Sequence, residues 1–109
     1  MPRAAALLIL AAIPLAAEPP PRMSLSAAQA ESLGAREAGL ARTAIGRRLL
    51  AETRDIPRRA AALGELVRYE RVPGPQLVFD LRRIEASEPF EFELALVREL
   101  AEAAAGAPA

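Results

Sequence analysis

Carboxylates are the side chains in this sequence best suited to acid–base chemistry. The chain has no His and no Cys, so it lacks the commonest general base and any thiol nucleophile. A carboxylate-based hydrolase would need two acidic groups about 5 to 10 Å apart across a cleft, and no spacing in the sequence marks such a pair. We therefore expect no catalytic residues and keep such a hydrolase as the second alternative. The acidic candidates are Asp80, Glu85, Glu88, Glu91, Glu93, Glu99 and Glu102.

Metal and cofactor sites are not indicated by the residue pattern either. The chain contains only two Asp residues, and no Asp-rich loop of the calcium-binding kind is present. Its six Gly residues are scattered singly, so they do not form a phosphate-binding loop. We predict neither a metal site nor a cofactor.

Arginine supplies every basic side chain and is unevenly distributed. Residues 42–59 contain six Arg and residues 85–102 contain six Glu, although the net charge of the chain is zero. The simplest expectation is that these two segments face one another within the fold or across a dimer. The alternative is a patch that binds anions or a partner, and its candidate residues are Arg47, Arg48, Arg54, Arg58 and Arg59.

A nucleic acid is not expected as the partner of these arginines. Tyr69 is the only polar aromatic residue that could stack on a base, and the balanced net charge provides no strong electrostatic capture. An anionic membrane surface stays open as an alternative ligand of the Arg-rich segment.

The first half of the chain is typical of helices. Residues 26–54 are rich in Ala, Leu, Arg and Glu and contain no Pro, which predicts one long N-terminal helix with Ser24 or Ser26 as its cap. Three glycines within it predict a bend, or close backbone packing along the side of Gly39 and Gly46.

A second, short helix is predicted immediately after the first. Asp55 can serve as its N-cap, with Pro57 in the first turn. A stripe at helical spacing follows and places Leu63 at a buried centre. The residues of this stripe are Ile56, Ala60, Leu63 and Val67.

The second half of the chain predicts a β-hairpin and a C-terminal helix. Residues 66–72 and 77–84 alternate like strands on either side of Pro73-Gly74-Pro75. Residues 90–97 also alternate, but Ser87 as a cap and Pro89 in the first turn favour a helix ending at Gly106. Phe92 does not fit the apolar stripe of that helix, which consists of Phe90, Leu94, Val97, Ala101 and Ala104. The predicted class is α+β and mostly helical, with an all-α small bundle as the alternative.

The start of the chain predicts export. Residues 1–17 combine Arg3, an apolar run and small residues before Glu18, which is the layout of a cleaved signal peptide. Residues 18–23 then form a Pro-rich spacer, and residues 24–109 form a single small domain. The predicted location is periplasmic or extracellular.

These observations predict a small exported, non-catalytic protein-binding or structural module, whose partner is a protein and could be a second copy of the chain. The first alternative is a periplasmic stress or envelope-associated chaperone that uses the Arg-rich face. The sequence Leu-Ser-Ala-Ala-Gln at residues 25–29 resembles the Leu-Thr-x-x-Gln signature of periplasmic helical-hairpin stress chaperones. The second copy that this family has is missing, so we do not assign the chain to it.

Overall fold

The computed structural model describes residues 20–106, and the predicted signal peptide, residues 1–17, lies outside them. The predicted α+β class is confirmed, whereas the long N-terminal helix and the predicted order of elements are wrong. The observed elements are β1 (Met23–Ser24), α1 (Ala27–Glu37), a 3₁₀ helix (Ala38–Arg42), α2 (Ala44–Glu52), β2 (Arg58–Ala60), β3 (Val67–Glu70), β4 (Gln76–Phe79), α3 (Leu81–Ala86) and α4 (Pro89–Gly106).

The predicted hairpin is present as β3 and β4. These strands are antiparallel, with Tyr69 opposite Leu77, and the Val72–Pro73 peptide bond in the connection is cis. The second strand ends at Phe79 rather than continuing to residue 84. It ends there because Asp80 caps α3, accepting a hydrogen bond from the backbone N–H of Arg83.

The predicted second helix is wrong, because part of this segment joins the sheet. The strand order is β1-β2-β4-β3, with β2 parallel to β4. Pro57 accepts a hydrogen bond from Leu77 at 2.9 Å, which satisfies the side of β4 that the hairpin leaves unpaired. Gly64 has a φ of 80°, a left-handed conformation that would interrupt any helix here. Leu63, predicted to be at a buried centre, is only half-buried.

The predicted long helix is divided into α1 and α2. Ser26 begins α1 with a capping box that involves Gln29. After the 3₁₀ helix, Thr43 starts α2 by accepting a hydrogen bond from the N–H of Gly46. A Cβ at Gly46 would lie 1.9 Å from the carbonyl oxygen of Leu40, so only glycine allows α2 to approach this turn so closely. The bend and the close backbone packing predicted near the glycines are therefore both found.

The C-terminal helix is confirmed, and it includes residues 90–97, whose sequence also alternates like a strand. The side of this helix that faces the core differs from the predicted one. Phe90 and Leu94 are 73% and 53% exposed. Phe92, which did not fit the predicted stripe, is buried with its ring centroid 6.3 Å from that of Phe79. Ser87, predicted to cap α4, instead closes α3 by donating to the carbonyl of Ile84 at 2.8 Å.

The core lies between the sheet and the helices. Helix α4 contributes its buried side, β4 contributes a strand whose apolar residues are fully buried, and the N-terminal helical segments add one Leu each. None of the helices within residues 20–106 is long and apolar enough to cross a bilayer. The buried hydrophobic residues are Leu33, Leu40, Leu49, Val67, Leu77, Val78, Phe79, Ile84, Phe92, Leu96, Leu100 and Ala103.

Candidate functional site

The most unusual surface of the described chain is a second apolar side of α4, distinct from the fully buried side with Phe92, Leu96 and Leu100. We call it the outer face of α4 and define it by Phe90, Leu94, Val97, Ala101 and Ala104. Phe90 and Leu94 are largely exposed, whereas Val97 and Ala104 are partly buried and pack against the core. Helix α4 is therefore apolar on two sides, only one of which is fully covered within residues 20–106.

A shallow groove of about 210 Å³ runs beside the outer face. One wall is formed by Phe90, Leu94 and Val97, and the other by Leu40 and Thr43. The 3₁₀ helix positions Leu40, and the N-cap geometry of α2 fixes Thr43. The groove is therefore bounded by three elements that are held by backbone hydrogen bonds.

An ion pair forms the polar edge of this groove. The guanidinium of Arg42 lies 2.6 Å from the carboxylate of Glu93, and Arg42 also donates to the carbonyl of Gly39 at 2.9 Å. Arg42 belongs to the basic segment and Glu93 to the acidic segment of the sequence. The expected approach of these two segments is thus found at one ion pair, on the polar margin of an apolar surface.

The five predicted binding arginines are distributed over α2, the turn after it and β2. Arg47 donates to the carbonyl of Ala41 at 2.8 Å, and Arg48 pairs with Glu52 at 3.0 Å. The two arginines are both exposed. The structure gives Arg54 an exposed position in the turn after α2. These three positions are accessible, and anion binding by them stays a prediction.

The other two predicted arginines have structural partners. Arg58 is mostly buried, pairs with Glu37 at 3.0 Å and donates to the carbonyls of Thr53 and Ile56. It therefore joins α1 and the turn after α2 to the sheet. Arg59 donates to the hydroxyl of Ser24 at 3.1 Å, across the β1–β2 pair. The predicted patch is consequently not one continuous set of free guanidinium groups.

Two carboxylates among the described residues have clearly shifted pKa values, and both are lowered. Burial acts to raise the pKa of Asp80, but the backbone N–H groups of Leu63, Arg83 and Gly64 and the charge of Arg83 outweigh it. Hydrogen bonding to Arg22 is the main cause of the lowered pKa of Glu70. A general acid working near neutral pH needs the opposite shift.

Other acidic candidates also hold structural positions. Glu99 accepts a hydrogen bond from the backbone N–H of Tyr69 at 2.7 Å. Tyr69 lies in β3, an edge strand of the sheet, so Glu99 satisfies one of the backbone donors of that edge. Glu91 accepts the N–H of Glu88 at 3.2 Å at the start of α4. Within residues 20–106, no three acidic side chains gather into a set that could hold a metal ion.

A larger cleft of about 420 Å³ lies between α1 and α3. Leu33, Leu81 and Ile84 supply its apolar lining, and Arg36 and Arg82 its basic lining. No sequence pattern indicates this cleft, because the residues on its two walls lie about half the chain apart and are brought together only by the tertiary fold.

Comparison with known proteins identifies no relative: the chain matches no protein-family model, and neither a curated protein nor a solved structure is significantly similar to it.

Proposed function

We propose that this protein is a small, exported, non-catalytic binding module that recognises another protein through the outer face of α4. The observation that carries the proposal is the exposure of Phe90 and Leu94, one helical turn apart, on a helix whose opposite side is fully buried. Single exposed apolar residues are common on protein surfaces, but contiguous apolar patches mark interaction sites.

The surroundings of these residues support a protein as the ligand. Protein interfaces combine apolar or aromatic anchors at the centre with a polar rim. Phe90 supplies an aromatic ring beside the groove, and the Arg42–Glu93 ion pair supplies a polar margin. The groove, at about 210 Å³, is smaller than the usual site for a small molecule, which ranges from about 300 to 1,000 Å³.

Site-specific photocrosslinking tests the binding role. A photoreactive phenylalanine analogue at position 90 should form a discrete crosslinked product in cells, and Leu94→Arg should abolish it. The matched control carries the same analogue at Val72, which is 82% exposed in the hairpin connection and lies outside α4. Equal crosslinking from both positions, or none from position 90, would contradict the proposal.

Export is a separate part of the proposal and rests on residues 1–17. The apolar run before Glu18 supports cleavage by a signal peptidase. Fractionation followed by N-terminal sequencing should recover a mature chain that begins at Glu18. Recovery of only the full-length chain, from the cytosol, would disprove export while leaving the binding role of α4 to its own test.

A further inference from the structure

The outer face of α4 has the spacing of a helix–helix packing seam. Its residues lie alternately four and three positions apart, at 90, 94, 97, 101 and 104. This alternation has a mean period of 3.5 residues, which is the repeat that keeps one apolar line of a helix against a second helix. A second helix is therefore the kind of element that fits along this face.

The sizes of these side chains indicate the direction in which a second α4 would run. The seam has large residues, Phe90 and Leu94, near its start and small residues, Ala101 and Ala104, near its end. A parallel copy would place Phe90 against Phe90 and Ala101 against Ala101, which gives a gap that widens at one end. An antiparallel copy places Phe90 over the partner's Ala101 and Leu94 beside the partner's Val97, so each layer has a similar volume.

The charges beside the seam favour the same arrangement. Glu91 and Arg98 each follow a seam residue directly and lie seven positions apart, so they occupy the same flank of the helix. In an antiparallel pair this flank meets itself, and Glu91 faces the partner's Arg98 at two symmetric places. Arg98 is exposed and has no ion pair within residues 20–106, so its charge is available for such a contact.

We propose that the partner recognised by the outer face of α4 is a second copy of this chain, packed as an antiparallel α4–α4 pair with two-fold symmetry. This inference rests on the proposed binding function and names the partner for it. A two-fold axis near residues 95 and 96 makes the interface isologous, so that each copy provides both the large and the small end of the seam.

Sedimentation equilibrium of the mature protein over a range of concentrations tests the pairing. Phe90→Ala and Leu94→Ala should each raise the dimer dissociation constant by at least about tenfold, since a few large anchors carry most of the binding energy of such interfaces. Val72→Ala, which removes an even more exposed apolar side chain elsewhere, should leave the dissociation constant unchanged. A wild-type chain that stays monomeric up to about 1 mM would overturn the inference.

A charge-swap experiment tests the antiparallel arrangement itself. Glu91→Arg places Arg against Arg at both symmetric contacts, and Arg98→Glu places Glu against Glu, so each variant should weaken the dimer by about tenfold at low salt. The double variant restores both opposite-charge contacts and should recover most of the wild-type affinity. Circular dichroism confirms that each variant is folded. A double variant as weak as the single ones would overturn the antiparallel pair.

The outcomes separate this inference from the proposed function. If position 90 crosslinks to a different protein and the chain is monomeric, the binding function holds and the self-association is wrong. If position 90 gives no specific crosslink and the chain is monomeric, both are wrong. A crosslink to a second copy, lost in each single charge variant and restored in the double variant, supports both.

Discussion

Two leucines on α4, two positions apart, allow the orientation of this helix to be measured. Leu96 is fully buried, whereas Leu94 is 53% exposed on the outer face. Leu→Ala changes the intrinsic helix propensity equally at both positions, so the difference between the two variants reports burial alone. Leu96→Ala should reduce the free energy of unfolding by about 2 to 5 kcal/mol, because it removes buried methyl groups and leaves a cavity.

Leu94→Ala should cost less than about 1 kcal/mol under the same conditions, since the side chain keeps much of its contact with water in the folded state. For a domain of this size, each kcal/mol shifts the melting temperature by about 4 to 8 °C. The two variants should therefore differ by several degrees or more. Urea unfolding followed by circular dichroism, in protein dilute enough to be monomeric, gives the two free energies directly.

The two phenylalanines on the same helix provide an independent pair. Phe92→Ala should cost about 3 to 5 kcal/mol, and Phe90→Ala should again have a small effect on the monomer. If the variants at 90 and 94 were as destabilising as those at 92 and 96, α4 would face the core with the stripe predicted from the sequence. The outer face would then not exist as a binding surface, and the reasoning above would be refuted.

Three further predictions concern backbone packing, the buried carboxylate of Asp80 and the partly buried carboxylate of Glu70. Gly46→Ala should reduce the free energy of unfolding, measured by urea, by about 1 to 3 kcal/mol, because the site becomes overpacked. Gly34→Ala, whose added methyl group meets nothing within 4 Å, should increase this free energy by up to about 1 kcal/mol, and equal effects of the two variants would contradict the described packing. Asp80→Ala removes the cap of α3 and a 2.9 Å hydrogen bond to the backbone of residue 63, so calorimetry should show a loss of about 2 to 4 kcal/mol. Arg22 holds the pKa of Glu70 below its ordinary value of 4.5, so the Arg22–Glu70 pair stabilises the fold above that pH and this stabilisation is lost as the pH falls through the lowered pKa. Glu70→Gln should therefore make the stability of the protein less dependent on pH in the acid range, and an unchanged pH dependence would exclude this ion pair as a contributor.

Local signals in the sequence predicted the elements that local interactions determine. The hairpin follows from two alternating segments around Pro73-Gly74-Pro75, and its strands are close neighbours in the chain. The capping box at Ser26 and the Pro at the start of α4 also act within one helical turn. Such features can be predicted because their partners lie a few residues away.

Strand β2 could not be predicted in this way, since its partner is distant. Arg58 pairs with Leu77, nineteen positions further along the chain. The segment around β2, from Ile56 to Val67, has apolar residues at helical spacing. Residues 58–60 are extended instead because they pair with the edge of β4 that the hairpin leaves free. The tertiary hydrogen bonds of the sheet therefore override the local pattern.

The candidate site was missed for a related reason. The sequence of α4 contains two apolar stripes, one with Leu94 and one with Leu96, and each fits a helix. Which of them is covered depends on the shape of the sheet, in particular on the position of Phe79 against Phe92. The misfit of Phe92 with the predicted stripe was the one available indication that the helix had a second apolar side.

Helix α4 follows every other described element in the chain, and this order has a consequence for folding during synthesis. Its buried residues, from Phe92 to Ala103, complete the core, yet they leave the ribosome after all the other described elements. Until then, Phe79 lacks the ring of Phe92 that packs against it, and a nascent chain cannot complete its core. A chain shortened before residue 89 should therefore remain unfolded and prone to aggregate, however much of the sheet it contains.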